Sequence, residues 1–263
     1  MMQGQKGGEL ELNYPKYLYK FYPLFDDEKL SAERLKVFKD KFFWMSSNDR
    51  LNDPTEFEYY YNDQSDMYRM LTYHLTHNHL ITCFSKKLYN LPMWSHYANN
   101  HKGFCVKFLV YPEAVNLYKV NYVSKAKALS EIMIEEKGYK ESGKCSEILS
   151  NTIKKNELSS ENNKMLIDNL KIAMSELPFT YMKRILSMKN TDWKYEQEYR
   201  IILPEGMEFL KEENLLPFEY SFLDPVQIYV GIYCDEKYEK DLEEISKEWK
   251  IEKPYRMKIA DFY

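Results

Sequence analysis

The chain has 263 residues, room for a substantial core in one large domain or two small ones, and its 44% hydrophobic and 16% aromatic content, with 24 Tyr, excludes a disordered or low-complexity protein. A formal net charge of -4 gives no global attraction to nucleic acid or to an anionic membrane, although a local basic groove is compatible with it. Cys83, Cys105, Cys145 and Cys234 form no CxxC pair and no Cys/His cluster of metal-ligand spacing, and no apolar run reaches membrane-spanning length. The expectation is a soluble cytoplasmic protein with reduced thiols and no bound metal. The polar opening, Met1 to Glu11, has no apolar h-region and is read as no secretion signal.

In chain order, Lys16 to Tyr22 predicts an aromatic strand that stops at Pro23, with Tyr17, Tyr19 and Phe21 on one side and Leu18, Lys20 and Tyr22 on the other. Ser31 to Phe38 predicts a short amphipathic helix capped by Ser31, and Lys41 to Ser46 a second strand, followed by the turn-rich Ser47 to Pro54. Met67, Met70, Leu71 and Leu75 are spaced for a helix from Gln64 to His79, with His74, His77 and His79 near its end. Surface histidines at a helix end are the commoner reading there, ahead of a metal site. Ile81 to Ser85 predicts a third strand, Leu91 to Asn99 a short helix with Pro92 in its first turn, and Gly103 to Val110 a fourth strand.

From Ser124 to Asn190 the pattern turns helical, with Met and Leu periodicity, and predicts helices at about 124–138, 144–157 and 160–188, the last bent at Pro178. Asp192 to Pro204 then reads as a strand: at period two, Trp193, Tyr195, Gln197, Tyr199, Ile201 and Leu203 share one face, and Glu196, Glu198 and Arg200 the other. Val226 to Tyr233 predicts a strand, Glu236 to Trp249 an amphipathic helix, and Tyr255 to Ala260 a final strand. Strands at both ends with helices between argue for an α+β fold, a single domain 1–263 carrying a helical insertion at about 124–190.

The eight glycines include no GxGxxG or GxxxxGK spacing, and no GxSxG, HExxH or kinase signature is present. What remains is a set of polar residues at strand ends: Lys20, Ser46, Ser47, Asn52, Asp53, Ser85, the cluster Trp94, His96 and Tyr97, and Glu198. Each has an ordinary alternative. Lys20 fits a solvated strand lysine, Ser85 and Asn52-Asp53-Pro54 fit turns, and Trp94 with Tyr97 fits a core helix face. The strand with Glu198 equally fits a half-buried strand whose charged face looks at water.

Together the segments Leu18-Tyr19-Lys20-Phe21, Phe43-Trp44-Met45-Ser46 running to Leu51-Asn52-Asp53-Pro54-Thr55-Glu56, Met93-Trp94-Ser95-His96-Tyr97-Ala98 with Gly103, and Trp193 to Arg200 resemble a widespread bacterial family of unnamed function. The order of strands and residues also resembles the ADP-ribosyltransferase superfamily, most closely the DarT-like DNA ADP-ribosyltransferases. That resemblance implies split, mostly antiparallel β-sheets with flanking helices, NAD as substrate, Glu198 and Glu196 as catalytic residues, and Lys20, Ser46, Phe84, Ser85, His96 and Tyr97 as NAD contacts. Lys20 stands where the superfamily has His or Arg. The resemblance further implies a protein or nucleic-acid acceptor, a toxin or phage-defence role, and a neutralising partner or a homo-oligomer.

The chemistry behind Glu198 is that of glycosidic cleavage. Breaking the nicotinamide–ribose bond passes through an oxocarbenium-like state, which a preorganised carboxylate stabilises more than the ground state. Phe84 or Tyr97 would stack on nicotinamide, Lys20 would pair with the pyrophosphate or hydrogen-bond the adenosine ribose, and Glu196 would orient the acceptor or else form a surface ion pair with a lysine. On this reading Lys20, Ser85, Tyr97 and Glu198 line one open cleft. Two other classes stand beside it: a non-catalytic binding module, and an NAD glycohydrolase that uses water as acceptor.

Overall fold

The computed structural model describes residues 15–47, 50–53, 79–114, 116–123, 186–208, 210 and 214–263. The predicted helix over 64–78, the predicted helices between 124 and 185, Pro54 and Cys145 lie outside the described residues.

The first strand, β1 (Tyr17–Tyr22), ends at Pro23, which has no N–H to continue a ladder. Helix α1 (Glu28–Lys39) starts one turn earlier than the sequence suggested, because Asp27 is the cap: its carboxylate accepts from the backbone N–H groups of Lys29 and Leu30. Ser31, the expected cap, is instead buried inside the helix, where its hydroxyl accepts from Phe25 N–H at 2.8 Å and donates to Phe25 O at 3.0 Å. β2 (Phe42–Trp44) is shorter than its predicted strand, and β3 (His79–Ser85) is longer, so His79 opens a strand and is buried. Helix α2 (Leu91–Tyr97), with proline in its first turn, and β4 (Phe104–Val110) follow as expected.

The short strands β5 (Leu117–Lys119), β6 (Asn121–Val123) and β7 (Met188–Asn190) were not legible in the sequence, and β7 replaces the predicted helix end at 188. β8 (Glu198–Pro204) is followed by β9 (Leu215–Pro217), the single turn α3 (Phe218–Ser221) and β10 (Leu223–Val230). Helix α4 (Glu236–Trp249) matches its predicted range, with Asp235 as cap. β11 (Tyr255–Arg256) is only the start of the predicted last strand, and a 3-10 helix, Ile259–Phe262, takes over.

The described residues fall into two compact units. The first draws on Met1–Phe42, Phe84–Val115 and Phe218–Tyr263. Its strands lie in the order β11-β10-β4-β1, antiparallel except for the parallel pair β10 and β11. Leu18, Phe104, Val106, Phe108, Ile228 and Val230 are buried on one face of these strands. There Phe38 of α1 meets Phe104 at 5.1 Å and Trp249 of α4 at 4.7 Å between ring centroids, so the aromatic payload of both helices closes this core.

The second unit draws on Phe43–Cys83 and Asn116–Pro217. β8 lies between β3 and β5, pairing antiparallel with β5 so that Arg200 is opposite Tyr118, and β6 runs parallel to β7. Every residue of β8 from Glu198 to Leu203 is buried, so both faces of this strand are covered. The fold is α+β with mostly antiparallel pairing.

Candidate functional site

In the second unit the sequence after β7 does not run straight on as a strand. The Asn190 side chain accepts from Asp192 N–H at 3.0 Å and caps a 3-10 helix, Thr191–Glu196; Gln197 then takes a left-handed conformation, φ 46°, and β8 begins at Glu198. The predicted strand from Asp192 is therefore corrected at its first half. Glu198 and Arg200 do share a face of β8, but Glu196 arrives from the end of the 3-10 helix rather than from the same strand face.

These turns bring four charges together away from solvent: Lys189 is 1% exposed, Glu196 2%, Glu198 4% and Arg200 0%. Arg200 Nε donates to Glu198 Oε1 at 2.8 Å and Arg200 Nη2 to Glu198 Oε2 at 3.2 Å, a two-point grip, while Nη1 donates to Leu186 O at 2.6 Å. Lys189 Nζ donates to Glu196 Oε2 at 2.7 Å, to Glu198 Oε2 at 3.2 Å and to Asn52 Oδ1 at 3.3 Å, and it lies 5.0 Å from the Trp193 ring centroid. Two carboxylates and two cations balance one another, which is what makes burial of all four affordable.

The electrostatics follow from that balance. Burial acts to raise the Glu198 carboxyl, but the Arg200 and Lys189 cations outweigh it and hold the group well below the usual carboxylate range. The Cys83 thiol, desolvated beside the Glu198 charge, is pushed well up and stays protonated, donating to that carboxylate. Tyr122 is raised by burial and then by the two glutamates, while its hydroxyl accepts from Glu198 N–H at 2.9 Å. The arrangement fixes an ionised Glu198 carboxylate within a charge-balanced cluster, with a thiol and a phenol beside it and an indole beside Lys189.

Three expectations change here. Glu198 does not face an open cleft, being 4% exposed, and the charged face of its strand does not look at water. The alternative for Glu196, a surface pair with a lysine, becomes a buried pair with Lys189.

Ser46, also in this unit, forms an isolated two-bond bridge with Ile81 through its backbone, at 2.8 Å each way. The other expected NAD contacts, Lys20, Phe84, Ser85, His96 and Tyr97, belong to the first unit. Lys20 Nζ lies 5.2 Å from the ring centroid of buried Phe84, so the structure brings these two together. Ser85 is directly opposite Tyr19, and residues that alternate along a strand leave by opposite faces, so Lys20 and Ser85 project to opposite sides. A cleft lined by both is thereby corrected. The Ser85 hydroxyl accepts from Lys87 N–H at 3.1 Å, the turn-making role. Trp94 is fully buried, Tyr97 half-buried and His96 exposed, with the His96 and Tyr97 rings 6.5 Å apart.

Sequence reasoning missed Lys189, which lies just past the predicted helix 160–188, and it left Arg200, Asn52, Cys83 and Tyr122 without a role at the carboxylates. The signal available was the cap sequence Asn190-Thr191-Asp192, which interrupts the alternation and aims Lys189 back at Glu196.

No curated protein matches the chain, and no solved structure matches it. Residues 93–201, a stretch that takes in Trp94, Tyr97, Lys189, Glu196, Glu198 and Arg200, are similar to a family described as a protein of unknown function (DUF2971).

Proposed function

We propose that this protein is an NAD-consuming enzyme of the ADP-ribosyltransferase type, with Glu198 as the charge that stabilises cleavage. In the reaction the bond between nicotinamide and the ribose C1' breaks, nicotinamide leaves with the bonding pair, and positive charge spreads over C1' and the ring oxygen. An acceptor nucleophile on a protein or nucleic acid then bonds to C1' and gives up its proton to water. The observation that carries the reading is the ionised state of Glu198: Arg200 and Lys189 hold its carboxylate deprotonated and fixed, so its charge needs no reorganisation when the cation develops. Glu196, anchored by Lys189, is the second carboxylate and the candidate for orienting the acceptor.

Burial of all four charges favours a second reading, a binding module in which the same cluster only fixes the backbone around β8. Incubating the pure protein with NAD and measuring nicotinamide, with and without cell extract, separates them. Release accompanied by a modified macromolecule supports the transferase, and release without one supports a glycohydrolase. No release under either condition leaves the binding module.

A further inference from the structure

The turn-rich segment before Pro54 sends one side chain to the buried charges of the second unit. Asn52 Oδ1 accepts from Lys189 Nζ at 3.3 Å, and Asn52 Nδ2 donates to Glu196 Oε1 at 3.5 Å, both at the long end of the hydrogen-bonding range. The short bond between the two charges, Lys189 Nζ to Glu196 Oε2 at 2.7 Å, does not involve Asn52. Asn52 is exposed, whereas Lys189 and Glu196 are buried. A solvent-facing side chain thus rests, on two long bonds, against a cation and an anion that water barely reaches.

The chemistry Asn52 offers there is specific. It gives Lys189 an acceptor and Glu196 a donor side by side, and a primary carboxamide carries both on one planar, neutral group. A carboxylate in its place would set a third negative charge against Glu196 and Glu198, and an ammonium would face Lys189, each at a cost where solvation is poor. A tertiary amide keeps the acceptor and lacks the N–H. Beside the pair stand two half-buried rings of the 3-10 helix: Trp193, its centroid 5.0 Å from Lys189 Nζ, and Tyr195, 6.0 Å from Trp193 and tilted 38° to it. The Tyr195 phenol is raised first by burial and then by Glu196, so it too stands near that carboxylate.

We infer that Lys189 and Glu196 form a binding site for a primary carboxamide, which Asn52 fills in the resting chain with its own side chain and which a ligand enters by displacing it. The site suits an amide on an aromatic ring, the ring laid against Trp193 and Tyr195. Two of the charges are those of the proposed active site, but the inference does not depend on cleavage, since a binding module would use the site equally. It also gives the buried cluster an entrance, because the side chain that moves is the exposed one.

The test is a titration of the full chain with nicotinamide, without NAD, followed by nuclear magnetic resonance at the Trp193 indole N–H, assigned with Trp193→Phe. Benzamide, propionamide, nicotinic acid and N,N-dimethylnicotinamide serve as comparisons. Nicotinamide and benzamide are expected to shift the Trp193 signal at millimolar concentrations, and nicotinic acid and N,N-dimethylnicotinamide to leave it in place. Propionamide separates an amide recognised alone, which binds as tightly as nicotinamide, from one recognised with its ring, which binds more tightly than propionamide. Asn52→Ala, checked for fold by circular dichroism, should bind nicotinamide about tenfold more tightly, because the chain's own amide no longer competes for the site. The proposal is overturned if nicotinic acid or N,N-dimethylnicotinamide binds as well as nicotinamide, if no primary carboxamide binds either protein, or if Asn52→Ala binds nicotinamide no more tightly than the wild type. Because NAD is absent from the titration, these failures are separate from any failure of NAD cleavage.

Discussion

Arg200 grips both oxygens of the Glu198 carboxylate, two positions before it on β8, at 2.8 and 3.2 Å, and its third donor reaches Leu186 O at 2.6 Å. A lysine there keeps the charge but not the planar fork, so it cannot make these three bonds at once. Arg200→Lys should lower stability by about 1.5–3 kcal/mol through lost charged hydrogen bonds. Arg200→Met, which removes the cation, should cost about 3–5 kcal/mol. Urea unfolding midpoints check both, and equal, negligible losses would mean that the grip contributes nothing.

Acid should unfold the protein in part through this same carboxylate. The folded-state value of Glu198 lies far below the ordinary one, set by Arg200 and Lys189 against the opposing effect of burial. In the unfolded chain a glutamate takes up its proton near pH 4.3, roughly. Between those two values the unfolded state binds a proton that the native state refuses, so stability falls as pH falls. The contribution is fully present above the unfolded value and is lost progressively below it. Glu198→Gln should therefore start less stable at pH 7 and show a shallower decline between pH 5 and lower values; an unchanged slope in stability against pH would remove Glu198 from the balance.

How far the sequence reached can be judged from these residues. α4 was legible because Tyr238, Leu242 and Ile245 are spaced for one buried helix face and Asp235 caps it, both local signals. The 3-10 helix before β8 was not, because Trp193, Tyr195, Gln197 and Tyr199 mimic period-two alternation while the cap at Asn190 says otherwise. Glu196 and Glu198 were read as sharing one strand face; the structure instead joins them through Lys189, which also reaches Asn52, 137 residues away in the chain. No local pattern encodes that. On the first unit's sheet, alternation grouped Tyr17 and Tyr19 of β1, but only strand register sets Tyr229 of β10 and Tyr255 of β11 on the same face.

Trp94 and Tyr97 sit one turn apart on α2 and should differ in what they support. Trp94 is fully buried, packs edge-on against Phe21 at 5.3 Å, stacks on His101 at 5.9 Å, and donates from Nε1 to Leu88 O at 2.9 Å. Trp94→Ala should cost about 3–5 kcal/mol as a core truncation. Tyr97, half-buried, should cost less when changed to alanine. Thermal denaturation of both variants checks this, and an equal loss would place Tyr97 in the core.

Gly103 is required by close approach. A Cβ there would meet Tyr22 O at 2.0 Å and Pro23 Cα at 3.0 Å, both backbone atoms that cannot rotate away. Gly103→Ala should therefore destabilise by about 1–3 kcal/mol or more as overpacking. Alanine at Gly206, which has open space around it but φ 79°, should cost only its backbone strain. The expected order of melting temperatures is wild type, then Gly206→Ala, then Gly103→Ala.

The two carboxylates should also separate in chemistry. Glu198→Gln keeps the shape and removes the charge, so nicotinamide release should fall by about 10²- to 10³-fold, as for loss of one preorganised electrostatic group. Because this change also leaves Arg200 and Lys189 with one carboxylate between them, activity must be read at a temperature where circular dichroism shows the variant folded. Glu196→Gln leaves both Arg200 and Lys189 on Glu198 and removes only the charge at the Lys189–Glu196 contact, so cleavage should fall less, while transfer falls more if Glu196 orients the acceptor. The ratio of nicotinamide released to acceptor modified should then rise. Lys189→Met supplies the control: both glutamates lose a cation, at least one carboxyl should titrate higher, and the acid limb of the rate profile should move toward neutral pH. If Glu196→Gln abolishes release and a folded Glu198→Gln does not, the catalytic charge belongs to the 3-10 helix and not to β8.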